Sequence, residues 1–125
     1  MAWIFMQRIK IPDYVTRFKI IQTPWFGVWI HKFDHGDSRA TLHDHPASFV
    51  SLVLRGGYIE IRPTGPRIIR HINIMRIKDC HYISNLLRTP TWTLLLIGRQ
   101  KKRWGYLIPT TSGYKWIPPE DFKKG

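Results

Sequence analysis

Two short runs rich in Val, Leu, Ile, Tyr and Phe, residues 48–54 and 58–62, flank the pair Gly56-Gly57, and this stretch limits the fold more than any other. Aromatic and β-branched side chains pack well on a pleated surface, and a glycine pair supplies the positive φ of a tight turn. The stretch therefore reads as a β-hairpin. Similar punctuation recurs along the chain. Arg8, Lys10, Arg17 and Lys19 alternate with Ile9, Ile11, Phe18 and Ile20, a period of two that suggests two strands around Pro12-Asp13, with a helical start as far as Met6 as the alternative. Pro24 opens a strand over residues 25–33, and Gly36, Asp37 and Ser38 mark a loop. Residues 67–78 read as one long strand or a bent pair, whose Arg67, Arg70, Arg76 and Lys78 form either a basic stripe or, by preference, a wet edge. Residues 92–97 are the most apolar run and fit a central strand, and residues 114–117 form a last strand stopped by Pro118-Pro119. Many short strands without an amphipathic helix imply an all-β barrel or sandwich. With 125 residues, one domain is expected, its barrel over about 15–118 and a polar tail over 119–125.

Charge narrows the partners but not the fold. Lys and Arg number 20 against 8 Asp and Glu, a formal net charge of +12. Residues 1–54 carry 6 basic and 4 acidic side chains and residues 55–125 carry 14 and 4, so the excess lies in the second half. Such a field attracts polyanions, anionic metabolites or acidic protein surfaces. The densest cluster, Arg99, Lys101, Lys102 and Arg103 followed by Trp104, is either a single-strand nucleic-acid platform or a solvated turn entering an aromatic strand. Cys80 is the single cysteine, which excludes an internal disulfide and a thiolate zinc cluster and fits a reducing, cytoplasmic setting. No apolar run approaches the ~20 residues that span a bilayer.

His43 and His45 are the chemical candidates. Two residues apart on an extended backbone, they leave the same face, and neutral imidazole is the commonest protein ligand of transition metals. His31 shares parity with Trp25, Trp29 and Phe33 and faces the same interior, either as a further ligand or, by preference, as a packed and hydrogen-bonded histidine. Arg39 shares parity with His43 and is either an orienting charge for an anionic co-ligand or a loop arginine in solvent.

His43-Asp44-His45 followed by Gly57 resembles the first signature of the cupin superfamily, H-x-H and then a glycine at a strand turn. Where cupins carry a glutamate, four or five residues after the second histidine, this chain has Phe49 and Val50. His81 to Asn85 is similar to the H-x-x-x-N ending of the second cupin signature, although Lys78 and Arg76 replace its glycine and proline. The order T-P-W-F-G, L-H-D-H-P, S-L-x-L-R-G-G-Y, W-T-L and R-W-G-Y, from Thr23 to Tyr106, resembles that of small cupin-like proteins of bacteria and phages. The resemblance implies a single-domain double-stranded β-helix, the jelly-roll barrel of cupins, which often dimerise. It implies three metal ligands, His43, His45 and His81, as in the glutamate-free site of thiol dioxygenases. Fe(II) is then the first candidate, with Zn, Ni or Mn as alternatives. A non-haem, dioxygenase-like reaction on a small, anionic substrate is the leading functional expectation. Tyr58 and Glu60, on one face of the following strand, either orient substrate and move protons or form one face of the sheet. Two other readings stay open: a metal-free cupin binding a small ligand as isomerase or sensor, and a basic nucleic-acid or protein-binding module.

Overall fold

The computed structural model describes residues 4–11, 15–36 and 41–122. Its strands are β1 (Ile4–Ile11), β2 (Val15–Gln22), β3 (Gly27–Phe33), β4 (Phe49–Arg55), β5 (Tyr58–Arg62), β6 (Gly65–Ile69), β7 (Ile72–Met75), β8 (Tyr82–Leu86), β9 (Thr91–Ile97), β10 (Tyr106–Thr110) and β11 (Gly113–Ile117), followed by the short helix α1 (Pro119–Phe122). All strand pairs are antiparallel. Six strands form one sheet in the order β1-β2-β3-β9-β4-β7, three form a second in the order β6-β5-β8, and β10 pairs with β11. Single-residue bridges from His43 to His81 and to Tyr106 join the β6-β5-β8 sheet to the β10-β11 pair. The result is two facing sheets, the jelly-roll arrangement expected of this sequence.

β1 and β2 fall where the basic and apolar residues alternate, and β9 lies inside the larger sheet, as its apolar character requires. Residues 67–78 are a bent pair whose halves, β6 and β7, are edge strands of different sheets. Arg67 on β6 and Arg70, Arg76 and Lys78 beyond the strand ends are all exposed.

Gly56-Gly57 corrects the hairpin expectation. β4 pairs with β7 and β9, whereas β5 pairs with β6 and β8, so the glycine pair is a corner between sheets. Both glycines do have positive φ, 94° and 143°. A Cβ on Gly57 would lie 2.6 Å from the carbonyl oxygen of Ile69, and one on Gly56 would lie 2.5 Å from Thr91 Oγ1. Thr91 staples the corner by accepting the Gly57 N–H at 3.3 Å while donating to the Arg88 carbonyl at 2.6 Å. A hairpin and a corner share the same glycine requirement, so composition alone does not separate them.

The sheets meet in an apolar plug of Val15, Phe33, Tyr58, Ile69 and Ile83, backed by Val53 and Leu86. Each large apolar side chain buried here contributes about 1.5–3 kcal/mol. Moving two residues along each strand from the plug, the inner wall turns polar: Val15 gives way to Arg17, Phe33 to His31, Tyr58 to Glu60, and Ile83 to His81. That change from a dry end to a polar one positions the site.

Candidate metal centre

His43 and His81 are direct cross-strand partners. Each donates its backbone N–H to the other's carbonyl at 2.9 Å, which brings their side chains together on one face. His45 follows two residues after His43 on that same face. Their ring centroids are 5.1 Å (His43–His45), 5.0 Å (His43–His81) and 4.9 Å (His45–His81) apart. One nitrogen from each lies within 4.8 Å of the others. Three imidazole nitrogens around one ion at ~2.0–2.1 Å stand roughly 3.0–3.4 Å apart, a spacing that small χ rotations reach from here.

The donors suit a cation. His45 is half-buried, and its buried Nδ1 has no hydrogen-bond partner. Its pKa is held well below the ordinary histidine value, first by burial and then by the charges of His81, His43, Arg17 and His31, so it is a neutral ligand at physiological pH. His81 Nδ1 lies 2.6 Å from Glu60 Oε2. Burial alone would raise the Glu60 pKa, but the His81 hydrogen bond and charge, with hydrogen bonds from Arg62 and Asn73, bring it down to about 2. Glu60 is therefore an acceptor, His81 Nδ1 carries the proton, and Nε2 is left as the ligand atom. A carboxylate fixing the far nitrogen of a ligating histidine sets its tautomer and raises its basicity.

Glu60 is 0% exposed and its carboxylate is fully engaged. Besides His81, it accepts from Arg62 Nε at 2.6 Å and Asn73 Nδ2 at 2.6 Å. Tyr58 stands beside it, its oxygen accepting from Asn73 Nδ2 at 2.9 Å. Burial, aided by the Glu60 charge against hydrogen bonds with Asn73 and Ser51 and the Arg62 charge, pushes the Tyr58 pKa up to about 12. Both residues thus face the interior, as their parity suggested, and Glu60 reaches the cluster through His81. The pattern lacks a glutamate after His45, and phenylalanine stands there instead: Phe49 packs edge-on against His45 with centroids 5.0 Å apart.

His31 faces the interior from β3, between Trp29 and Phe33, with centroid distances of 5.9 and 5.4 Å. It is not one of the three clustered ligands. Arg39 lies outside the described residues. Of the basic cluster, Lys102 Nζ sits 2.6 Å from Asp44 Oδ2, Arg103 pairs with Glu120, and Trp104 packs edge-on against His43 and Tyr106. Arg99 and Lys101 are exposed.

Asp44, to which the pattern assigned no role, holds the C-terminal strands in place. Alternation turns it away from the two histidines, and it is 4% exposed. Its carboxylate accepts from Gly105 N at 2.7 Å, Trp116 Nε1 at 3.1 Å and Lys102 Nζ at 2.6 Å. The available signal was a carboxylate between two inward residues in a strand whose other face had to be covered.

No family model matches the chain, and no similar curated protein sequence was found. Solved structures do match. An RmlC-like cupin from Shewanella frigidimarina superposes with a TM-score of 0.61 at 14% identity, over 78% of this chain and 86% of that one. KdgF from Halomonas sp. gives 0.60 at 17% identity, over 77% and 95%. The DMSP lyase DddQ from Ruegeria pomeroyi gives 0.59 at 13% identity, over 74% and 56%. The chain therefore has the cupin fold. Its candidate site is a three-histidine cluster with a buried glutamate behind His81. No helix among the described residues is long and apolar enough to cross a membrane.

Proposed function

We propose that the polar end of the barrel is a small-molecule site built on a divalent metal held by His43, His45 and His81, with Fe(II) the first candidate and Zn, Ni or Mn the alternatives. The observation that carries this reading is the convergence of three imidazole nitrogens within 4.8 Å, with His81 fixed from behind by Glu60. Three protein ligands leave coordination positions open, so a bound ion would supply a Lewis acid or, as iron, a place for substrate and dioxygen to meet. A dioxygenase-like oxidoreductase acting on a small, anionic substrate follows from the neutral ligand set, which leaves the ion's charge uncompensated.

The chain's own residues do the rest. Glu60 holds His81 in one tautomer and orientation, and Arg62 and Asn73 hold Glu60. Tyr58 keeps its proton throughout the physiological range and shares the Asn73 amide donor with Glu60. The apolar plug closes one end of the barrel to water. Elemental analysis of purified protein tests the reading: wild type should carry close to one equivalent of metal and the His43→Ala/His45→Ala variant almost none. Equal metal in both would rule out the ligand assignment.

A further inference from the structure

The inner wall opposite the histidines carries a polar row that the metal centre does not use. Arg17 on β2 is the Cα partner of His31 on β3, and His31 is the partner of Thr93 on β9. Direct partners in antiparallel strands project side by side from one face, here the inner one. His31 is 9% and Thr93 1% exposed. His31 Nε2 and Thr93 Oγ1 are both buried and neither has a hydrogen-bond partner. A buried hydroxyl or ring nitrogen is ordinarily satisfied, and two neighbouring exceptions on one wall imply that something outside the chain completes them.

The same row carries a fixed charge. The Arg17 guanidinium carbon lies 5.7 Å from the centre of the Trp29 ring, and Lys19 Nζ lies 4.6 Å from it. The Arg17 charge lowers the pKa of both His31 and His45, so it lies within electrostatic reach of each. Burial and then Arg17 hold His31 near a pKa of about 3, which keeps the imidazole neutral. On the opposite wall the carboxylate is Glu60, whose oxygens are taken by His81, Arg62 and Asn73. The row thus holds the Arg17 guanidinium, a neutral imidazole and a hydroxyl, with the Lys19 ammonium beside the same Trp29 ring.

We infer that Arg17, His31 and Thr93 anchor the ligand of this barrel, and that the ligand is a small carboxylate with a hydroxyl on the adjacent carbon. The carboxylate pairs with the guanidinium, whose planar fork matches it. The neighbouring hydroxyl meets His31 Nε2 and Thr93 Oγ1, which can each donate or accept. The assignment names the substrate class of the site proposed above and rests on that reading only for what the other end of the ligand meets.

Lactate, propionate and lactamide separate the contributions, since propionate lacks the hydroxyl and lactamide lacks the charge. Binding is read by calorimetry on wild type, Arg17→Gln, Arg17→Lys, Thr93→Val and His43→Ala/His45→Ala, with metal content and thermal midpoint recorded for each. Lactate should bind wild type at least about tenfold more tightly than lactamide and several-fold more tightly than propionate. Arg17→Gln should abolish the preference over lactamide with metal content unchanged, and Arg17→Lys should restore part of it. Thr93→Val should lose the preference over propionate while its thermal midpoint stays level or rises, because a methyl replaces an unsatisfied buried hydroxyl. The double-histidine variant should keep the lactate-over-lactamide order. If that variant instead retains metal, the metal reading fails and the anchor stands. The anchor is overturned if wild type does not distinguish lactate from lactamide, or if Arg17→Gln binds lactate as tightly as wild type.

Discussion

Glu60→Gln is the most informative single change, because it preserves shape and removes the charge that orients His81. The carboxylate accepts three hydrogen bonds, each of 2.6 Å, from His81, Arg62 and Asn73 in a fully buried setting. An amide has one acceptor oxygen and an NH2 group that must face one of these donors. Losing a charge-assisted hydrogen bond of this kind costs about 1.5–3 kcal/mol. Glu60→Ala, which also leaves the Arg62 guanidinium without its closest partner, should cost about 3–5 kcal/mol. With His81 no longer fixed from behind, metal affinity should fall by about 10- to 100-fold. Chelator competition measures the affinity, and urea denaturation of the metal-free protein measures the stability. A Glu60→Gln protein that loses stability but binds metal within about twofold of wild type would refute the orienting role and leave Glu60 as a purely structural group.

Stability should also depend on pH in two steps. His31 has a folded pKa near 3 against an ordinary 6.5, so its contribution is complete above about pH 6.5 and is lost as pH falls from there; it amounts to roughly 2 kcal/mol between about pH 7 and pH 5. Glu60, lowered from 4.5 to about 2, adds a second loss as pH falls from about 4.5 toward 2. Urea midpoints across pH should show both, with His31→Gln shrinking the upper step and leaving the part due to His45, whose pKa is also lowered; a wild-type midpoint that is constant from pH 7 to 5 would contradict the buried, neutral His31. Asp44→Ala strips the acceptor from Gly105 N, Trp116 Nε1 and Lys102 and should cost about 2–4 kcal/mol. It should also speed hydrogen exchange across β10 and β11, and unchanged exchange there would count against the anchoring role. Gly57→Ala meets both a φ of 143° and the Ile69 carbonyl, and should lower stability by more than about 1 kcal/mol in the same denaturation assay.

Much of the fold was written in local pattern. Alternation at residues 8–11 and 17–20, the apolar run at 92–97, and the Gly and Pro stops marked strands that the structure contains. Which strands pair was not legible. The Gly56-Gly57 corner joins two sheets where a hairpin would also have used two glycines, and the deciding contact, Thr91, is 34 residues away. His43 and His45 announced themselves by spacing, and His81 joined them through a motif. The role of Glu60 could not be read along the chain, because its partners His81 and Asn73 come from other strands. Asp44 and the Arg17–His31–Thr93 row were hidden in the same way, since their roles depend on register between strands distant in sequence.

The central claim is that three histidines hold one metal ion in the polar end of the barrel. X-ray absorption at the metal edge, on protein reconstituted with Fe(II) and freed of excess, tests it most directly. Close to one equivalent of metal with three imidazole nitrogens at ~2.0–2.2 Å is expected, with a weakened imidazole shell in His81→Ala. A spectrum with no imidazole shell, or one unchanged by His81→Ala, would contradict it.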